Sequence, residues 1–185
     1  MLPELLQKAS LFSLLYRIDM DLARQHQQGG CPSCGGPLHQ ANYMRKPRGG
    51  PDDIPEDCLL RLSLCCGREE CRCRSMPPST RFLGRRVYWG CVILVAMTLR
   101  QNRAEGMSAN KVMRLLGVSR KTLIRWAMYF REVFPFSAQW QRFRGRVSPS
   151  VRDNDLPGAL LRFFLHNSES PQKGLIACLY SLATA

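Results

Sequence analysis

Negative charge is scarce in this chain. Its 185 residues carry 14 Asp and Glu against 27 Lys and Arg, a formal net charge of +13. Long hydrophobic runs are missing as well: the longest uncharged apolar stretch, residues 90–99, is too short to cross a bilayer. No basic segment precedes the first apolar residues, as it would in a secretory signal. Internal repeats and low-complexity tracts are absent. The expectation is a soluble, cytoplasmic, nucleoid-associated protein that does not use a membrane.

Catalytic signatures are lacking too. A zinc deaminase needs a His-x-Glu ahead of Pro-Cys-x-x-Cys, and neither half occurs. A thioredoxin-like dithiol needs a βαβ setting that residues 1–90 do not supply. No His/Asp cluster suggests a metal-dependent nuclease. The expectation is a protein that is not an enzyme.

Cysteine, by contrast, is plentiful and unevenly spread. Nine residues, an odd number gathered in clusters, point to a metal site before a disulfide framework inside a reducing cell. Cys31-Pro-Ser-Cys34-Gly-Gly forms a knuckle whose tight turn directs two thiolates at one ion, and Cys65-Cys66-Gly-Arg-Glu-Glu-Cys71-Arg-Cys73 offers a second group. Four sulfurs in a tetrahedron suit structural Zn2+, with Cys31, Cys34, Cys66 and Cys71 as the preferred ligands. The second pair stays open, because Cys65 or Cys73 can replace either member and His39 can enter as a nitrogen ligand. Cys58, Cys91 and Cys178 read as buried thiols.

Positive charge is concentrated. Fourteen of the Lys and Arg fall between Arg81 and Arg146, against two acids, Glu105 and Glu132, and the remainder of the chain is nearly neutral. Within that region Ser108 can cap a short helix with Val112, Leu115 and Leu116 on one face, ended by Gly117. Ser119 can cap a second, in which Leu123, Trp126, Ala127 and Phe130 turn inward and Arg120, Lys121 and Arg125 outward, with Thr122 near its start. Two helices joined through Gly-Val-Ser make a helix-turn-helix whose second helix can enter a major groove. Residues 85–100 form the expected first helix of a three-helix unit. Its Arg100 and the following Arg103 are placed for phosphates, and Arg142, Arg144 and Arg146, interleaved with Trp140 and Phe143, form a basic extension able to follow the backbone or a minor groove.

Residues 1–28 read as one amphipathic helix, for which packing on the next module or dimerisation are both open. Residues 42–55 have loop composition, with Tyr43, Arg45, Lys46 and Arg48 able to touch a nucleic-acid backbone. Residues 59–64 have strand character. Residues 75–79 read as a linker, and two nearly uncharged helices are expected over 156–166 and 171–183, suited to packing or self-association.

The order of parts, Cys-Pro-x-Cys-Gly, then a second cysteine cluster, then Gly-Val-Ser-Arg-Lys-Thr-Leu-Ile-Arg-Trp, resembles the N-terminal regions of bacterial insertion-sequence transposases that join a zinc ribbon to a helix-turn-helix. It is similar also to small bacterial proteins containing Arg-Lys-Pro-Arg-Gly-Gly-Pro and Pro-Pro-Ser-x-Arg-Phe-Leu-Gly-Arg-Arg, here residues 45–51 and 77–86. The resemblance covers roughly residues 30–130. It implies recognition of mobile-element or regulatory DNA. Full transposases continue into a large domain whose separated carboxylates hold catalytic metals, and Asp153 and Asp155 do not make such a site.

The expected fold is mainly α with a small β zinc ribbon: an N-terminal helix (1–28), a zinc-ribbon-like module (29–80), a basic three-helix helix-turn-helix domain (81–147) and a C-terminal helical segment (148–185). The expected function is sequence-specific binding of double-stranded DNA as an accessory or regulatory factor of a mobile element, with a transposase or recombinase as partner. The alternative is an adaptor anchoring a larger nucleoprotein complex, transposition or RNA-guided, to nucleic acid.

Overall fold

The computed structural model describes residues 2–84, 86–101 and 107–185. The chain is mainly helical, with small antiparallel sheets and a four-cysteine cluster near its N-terminal end. The expected helix over 1–28 is broken. A short α1 (Leu2–Leu5) ends in backbone bonds from Leu6, Gln7 and Lys8 to carbonyls three residues back, and α2 (Ala9–Gln28) follows. The face of α2 that carries Leu11, Phe12, Leu15 and Leu22 is buried, which leaves Leu14 37% exposed at its margin.

The sheet region folds around the cysteines. Strands β1 (Leu38–Gln40), β4 (Leu64–Cys66) and β5 (Arg74–Ser75) form one antiparallel sheet in the order β1-β4-β5, with Leu38 opposite Cys66 and Leu64 opposite Ser75. Between them β2 (Tyr43–Met44) pairs with β3 (Leu60–Arg61). The single strand expected over 59–64 is therefore divided: Leu59 closes a 3-10 turn, and the residues on either side of Leu62 and Ser63 serve different sheets.

Helix α3 (Gly90–Gln101) is the centre of the helical body. Every residue from Gly90 to Thr98 is buried, so this helix is apolar all round and packs against α4 (Ala109–Leu116), α5 (Arg120–Met128), α7 (Gly158–His166) and α8 (Pro171–Thr184). It begins at Gly90, later than the expected 85, and Val87, ahead of it, is 54% exposed. Beside it Trp89 lies between Phe12, edge-on at 4.9 Å, and Phe82, stacked at 5.4 Å. The glycines of the Arg-Lys-Pro-Arg-Gly-Gly-Pro stretch are explained here: a Cβ on Gly50 would meet Trp89 Nε1 at 2.7 Å, and one on Gly49 would meet Val92 at 2.9 Å.

After α5 the backbone widens into a π-helical turn (Tyr129–Val133) and tightens into a 3-10 turn (Phe134–Phe136), then forms α6 (Ala138–Phe143). Trp140 and Phe143 are buried in the same core as Leu160 and Leu179. That core runs from Leu5 to Leu182 without a gap at residue 147, while Cys31, Leu38, Leu64 and Cys66 make a separate small cluster.

The region 75–79 is not a linker. Ser79, Thr80 and Arg81 are buried against α2, where one carboxylate gathers them: Asp19 accepts bonds from Ser79 Oγ (2.5 Å), Thr80 N (2.6 Å), Thr80 Oγ1 (2.7 Å) and Arg81 Nε (2.8 Å). Arg81 also donates to the Cys58 and Leu60 carbonyls. This network gives the Pro-Pro-Ser-x-Arg-Phe motif its physical meaning. A buried carboxylate costs several kcal/mol of desolvation unless its oxygens are satisfied, and here both are.

Candidate metal centre and basic helix pair

The knuckle at Cys31 is built by backbone bonds: Cys31 N donates to Gly36 O at 2.8 Å and Gly35 N to Cys31 O at 2.8 Å. The second half comes from the end of β4 and the turn after it, where Cys71 N donates back to Arg68 O. Arg68 ties the halves together by donating from Nη1 to Cys34 O at 3.1 Å. As a result the sulfurs of Cys31, Cys34, Cys66 and Cys71 all lie within 4.8 Å of one another, with Cys31–Cys71 at 3.8 Å and Cys34–Cys66 at 3.5 Å.

That spacing fits a metal. Four thiolates about 2.3 Å from a tetrahedral ion stand about 3.8 Å apart. All nine cysteines are free thiols, and sulfurs this far apart are well beyond a covalent bond, about 2.05 Å. These four residues could hold a metal ion. Among the described residues the alternatives are not part of this group of four, although Cys73 packs beside it. Cys65, one residue from Cys66 along the strand, turns its thiol to the Arg72 carbonyl at 3.6 Å, Cys73 contacts the Arg74 carbonyl at 3.8 Å, and His39 sits opposite Cys65 in the sheet register.

Electrostatics describe the same site. The Cys31 thiol is drawn down to about 7, first by the backbone N–H of Ser33 and then, against burial, by that of Cys34 and by the thiols of Cys71 and Cys34. For Cys66 the backbone N–H of Arg68 favours the thiolate, but burial and hydrogen bonds to Cys34, Cys31 and Cys71 push it up to about 12. One thiolate forms readily and opposes the next. A cation among the sulfurs would favour the thiolate at Cys66 as well.

The second candidate site is the helix pair. Ser108 Oγ accepts from Lys111 N at 3.3 Å, and Gly117 closes α4 at φ +60°, a conformation that favours glycine. Ser119 Oγ accepts from Thr122 N at 3.2 Å and stands 2.9 Å from Thr122 Oγ1, so both hydroxyls are engaged in the cap. On α5, Leu123 and Trp126 are buried, the latter edge-on to Tyr88 at 5.0 Å, and Arg120, Lys121 and Arg125 are exposed. Two inward assignments fail. Leu115 is 41% exposed and Ala127 is exposed, because the buried positions of this pair are Val112 and Leu116 on α4 and Leu123 and Trp126 on α5.

Arg100 and Arg120 share a cleft of about 380 Å³ with Arg131 and Ile124. Arg100 is exposed and donates to the Met107 carbonyl at 3.0 Å. Arg103 lies outside the described residues. Arg142, Arg144 and Arg146 are exposed but do not form an extended arm: they sit on α6 and the 3-10 turn after it (Arg144–Arg146), which the buried Trp140 and Phe143 anchor. Trp140 Nε1 donates to Asp153 at 2.7 Å, and Arg144 pairs with the same carboxylate at 3.8 Å. Arg81, counted with the basic region, is fully buried on Asp19 and adds nothing to the surface field.

Among the described residues no helix is long and apolar enough to cross a membrane. Comparison with known proteins finds no matching family model, no matching curated protein and no matching solved structure.

Proposed function

We propose that this chain is a zinc-containing helix-turn-helix protein that binds double-stranded DNA in a sequence-specific manner. In this reading α5 is the recognition helix, the four-cysteine module is a structural zinc ribbon, and the protein acts without a catalytic step of its own beside a mobile-element enzyme in the nucleoid. The observation that carries the reading is the two-sidedness of α5: Leu123 and Trp126 fix it to α3 and Tyr88, and Arg120, Lys121 and Arg125 project from its other side beside a half-exposed Ile124. Arginine matches guanine O6 and N7, and an exposed aliphatic chain suits a thymine methyl. Arg100 and the Arg142–Arg146 turn supply phosphate contacts in this scheme.

The test is titration against a duplex selected from random sequence and against random duplex, at two salt concentrations. Wild type prefers the selected duplex by about three orders of magnitude or more. Arg125→Ala loses about 1–3 kcal/mol of that discrimination. Arg100→Ala weakens both duplexes alike and lowers the salt slope by about one unit. An Arg125→Ala protein with its preference intact removes α5 from the reading role. Binding with no preference for any sequence favours the anchoring adaptor instead.

A further inference from the structure

A second group of cations lies away from α5, where the sheets meet the segment after Ser79. A cavity of about 430 Å³ is lined by Tyr43, Arg45, Arg61, Arg74, Met76 and Gly84, three of them arginines and none acidic. Its innermost arginine is unusual. Arg61 is only 7% exposed; its Nη2 donates to the Pro77 carbonyl at 3.1 Å, and its buried Nη1 has no hydrogen-bond partner among the described residues.

Charge around Arg61 is out of balance. Arg45 and Arg81 repel it, and the guanidiniums of Arg45, Arg61 and Arg81 all stand within 5.6 Å of the centre of the Phe82 ring. The opposing carboxylate, Asp19, is already shared among Ser79, Thr80 and Arg81. Burial draws the Arg61 guanidinium below its ordinary range, yet arginine keeps its proton in proteins. A buried cation with an unmade donor, beside a cavity walled by more cations, is stabilised by an anion entering that cavity.

The cavity's size and walls narrow the anion. Its volume falls within the range of small-ligand sites, about 300–1,000 Å³. Tyr43, 39% exposed, and Met76, 41% exposed, add flat and polarisable apolar surface beside the guanidiniums. Phosphate matches the planar fork of arginine, and a heterocyclic base matches an exposed tyrosine ring. We propose that this cavity binds a phosphorylated nucleotide unit, its phosphate held by Arg61 and Arg74 and its base against Tyr43. The unit is either a free nucleotide or the end of a nucleic-acid strand. Nothing in this assignment depends on duplex binding by α5.

Calorimetric titration of the full, zinc-loaded chain tests it with three probes: adenosine 5′-monophosphate, adenosine, and a 5′-phosphorylated deoxytetranucleotide. The phosphorylated probes bind one per chain and adenosine does not. A tighter tetranucleotide identifies a strand end as the source, and an equal or tighter mononucleotide identifies a free nucleotide. Arg74 is exposed, so Arg74→Ala keeps the fold and lowers the affinity about tenfold or more, the loss expected for hydrogen bonds to a charged group. Arg162→Ala, at an exposed position on α7, leaves it unchanged. Absence of saturable binding by both phosphorylated probes, equal binding of adenosine, or wild-type affinity in Arg74→Ala overturns the assignment.

Discussion

Around Trp89, ring packs on ring and every side of α3 is covered; around Leu38 and Leu64, two leucines share their small cluster with Cys31 and Cys66. The helical body can rest on burial, since a fully buried leucine or phenylalanine contributes about 1.5–3 kcal/mol and this body holds many. The cysteine module has too little apolar surface for that. Its strands are two or three residues long, and its loops are closed by thiols facing one point. Within one chain, the two regions therefore answer to different perturbations.

The sharpest way to break the comparison is to remove a thiol. Cys31→Ser or Cys66→Ser is expected to abolish stoichiometric zinc and unfold the region around residues 29–75, because a structural zinc site contributes about 10–16 kcal/mol to a module of this kind. The helices beyond residue 90 keep their circular dichroism and melting. Cys65→Ser and Cys73→Ser retain one zinc. Acid has the same target. Metal binding displaces thiol protons, so zinc affinity falls as pH falls, and falls more steeply below about 7, where Cys31 recovers its own proton. Metal analysis across pH 5–8 measures this, and zinc retained at full stoichiometry by Cys31→Ser contradicts the module.

A smaller effect is expected at the join between the regions. Asp19→Ala strands the fully buried Arg81 guanidinium and the Ser79 and Thr80 donors, at a cost of about 3–5 kcal/mol. Chemical denaturation measures the loss in the helical body, and zinc content is the control that separates this variant from the cysteine ones. Smallest is Ser119→Ala, which removes the cap of α5 and costs about 1 kcal/mol with no change in zinc.

Much of this arrangement was legible locally. Ser108, Gly117 and Ser119 announced the ends of α4 and α5 because caps depend on neighbouring backbone alone. Cys31 and Cys34 were legible from spacing. Spacing alone does not separate Cys66 and Cys71 from Cys65 and Cys73; the turn through Gly67 and Arg68 does. The serine- and proline-rich stretch before Arg81 has the composition of a linker, yet its burial is decided by Asp19, about sixty residues upstream. Leu115 and Ala127 depart from expectation for a related cause: helical periodicity gives a face, not how far the core reaches across it. The Arg61 cavity has no sequence signature, since its arginines come from three separate strands and loops.

Helix α2 joins these regions with a single rod about 30 Å long at 1.5 Å per residue. Phe12 and Leu15 seat its first half in the helical body, and at its other end Gln27 Nε2 donates to Leu38 O at 2.8 Å while His26 Nε2 meets Ser75 Oγ at 2.6 Å. Amide exchange along α2 is consequently graded. Its early turns open only when the helical body opens, and its last turn, tied to Leu38 and Ser75, opens with the cysteine module, so one uninterrupted helix records the stabilities of two regions.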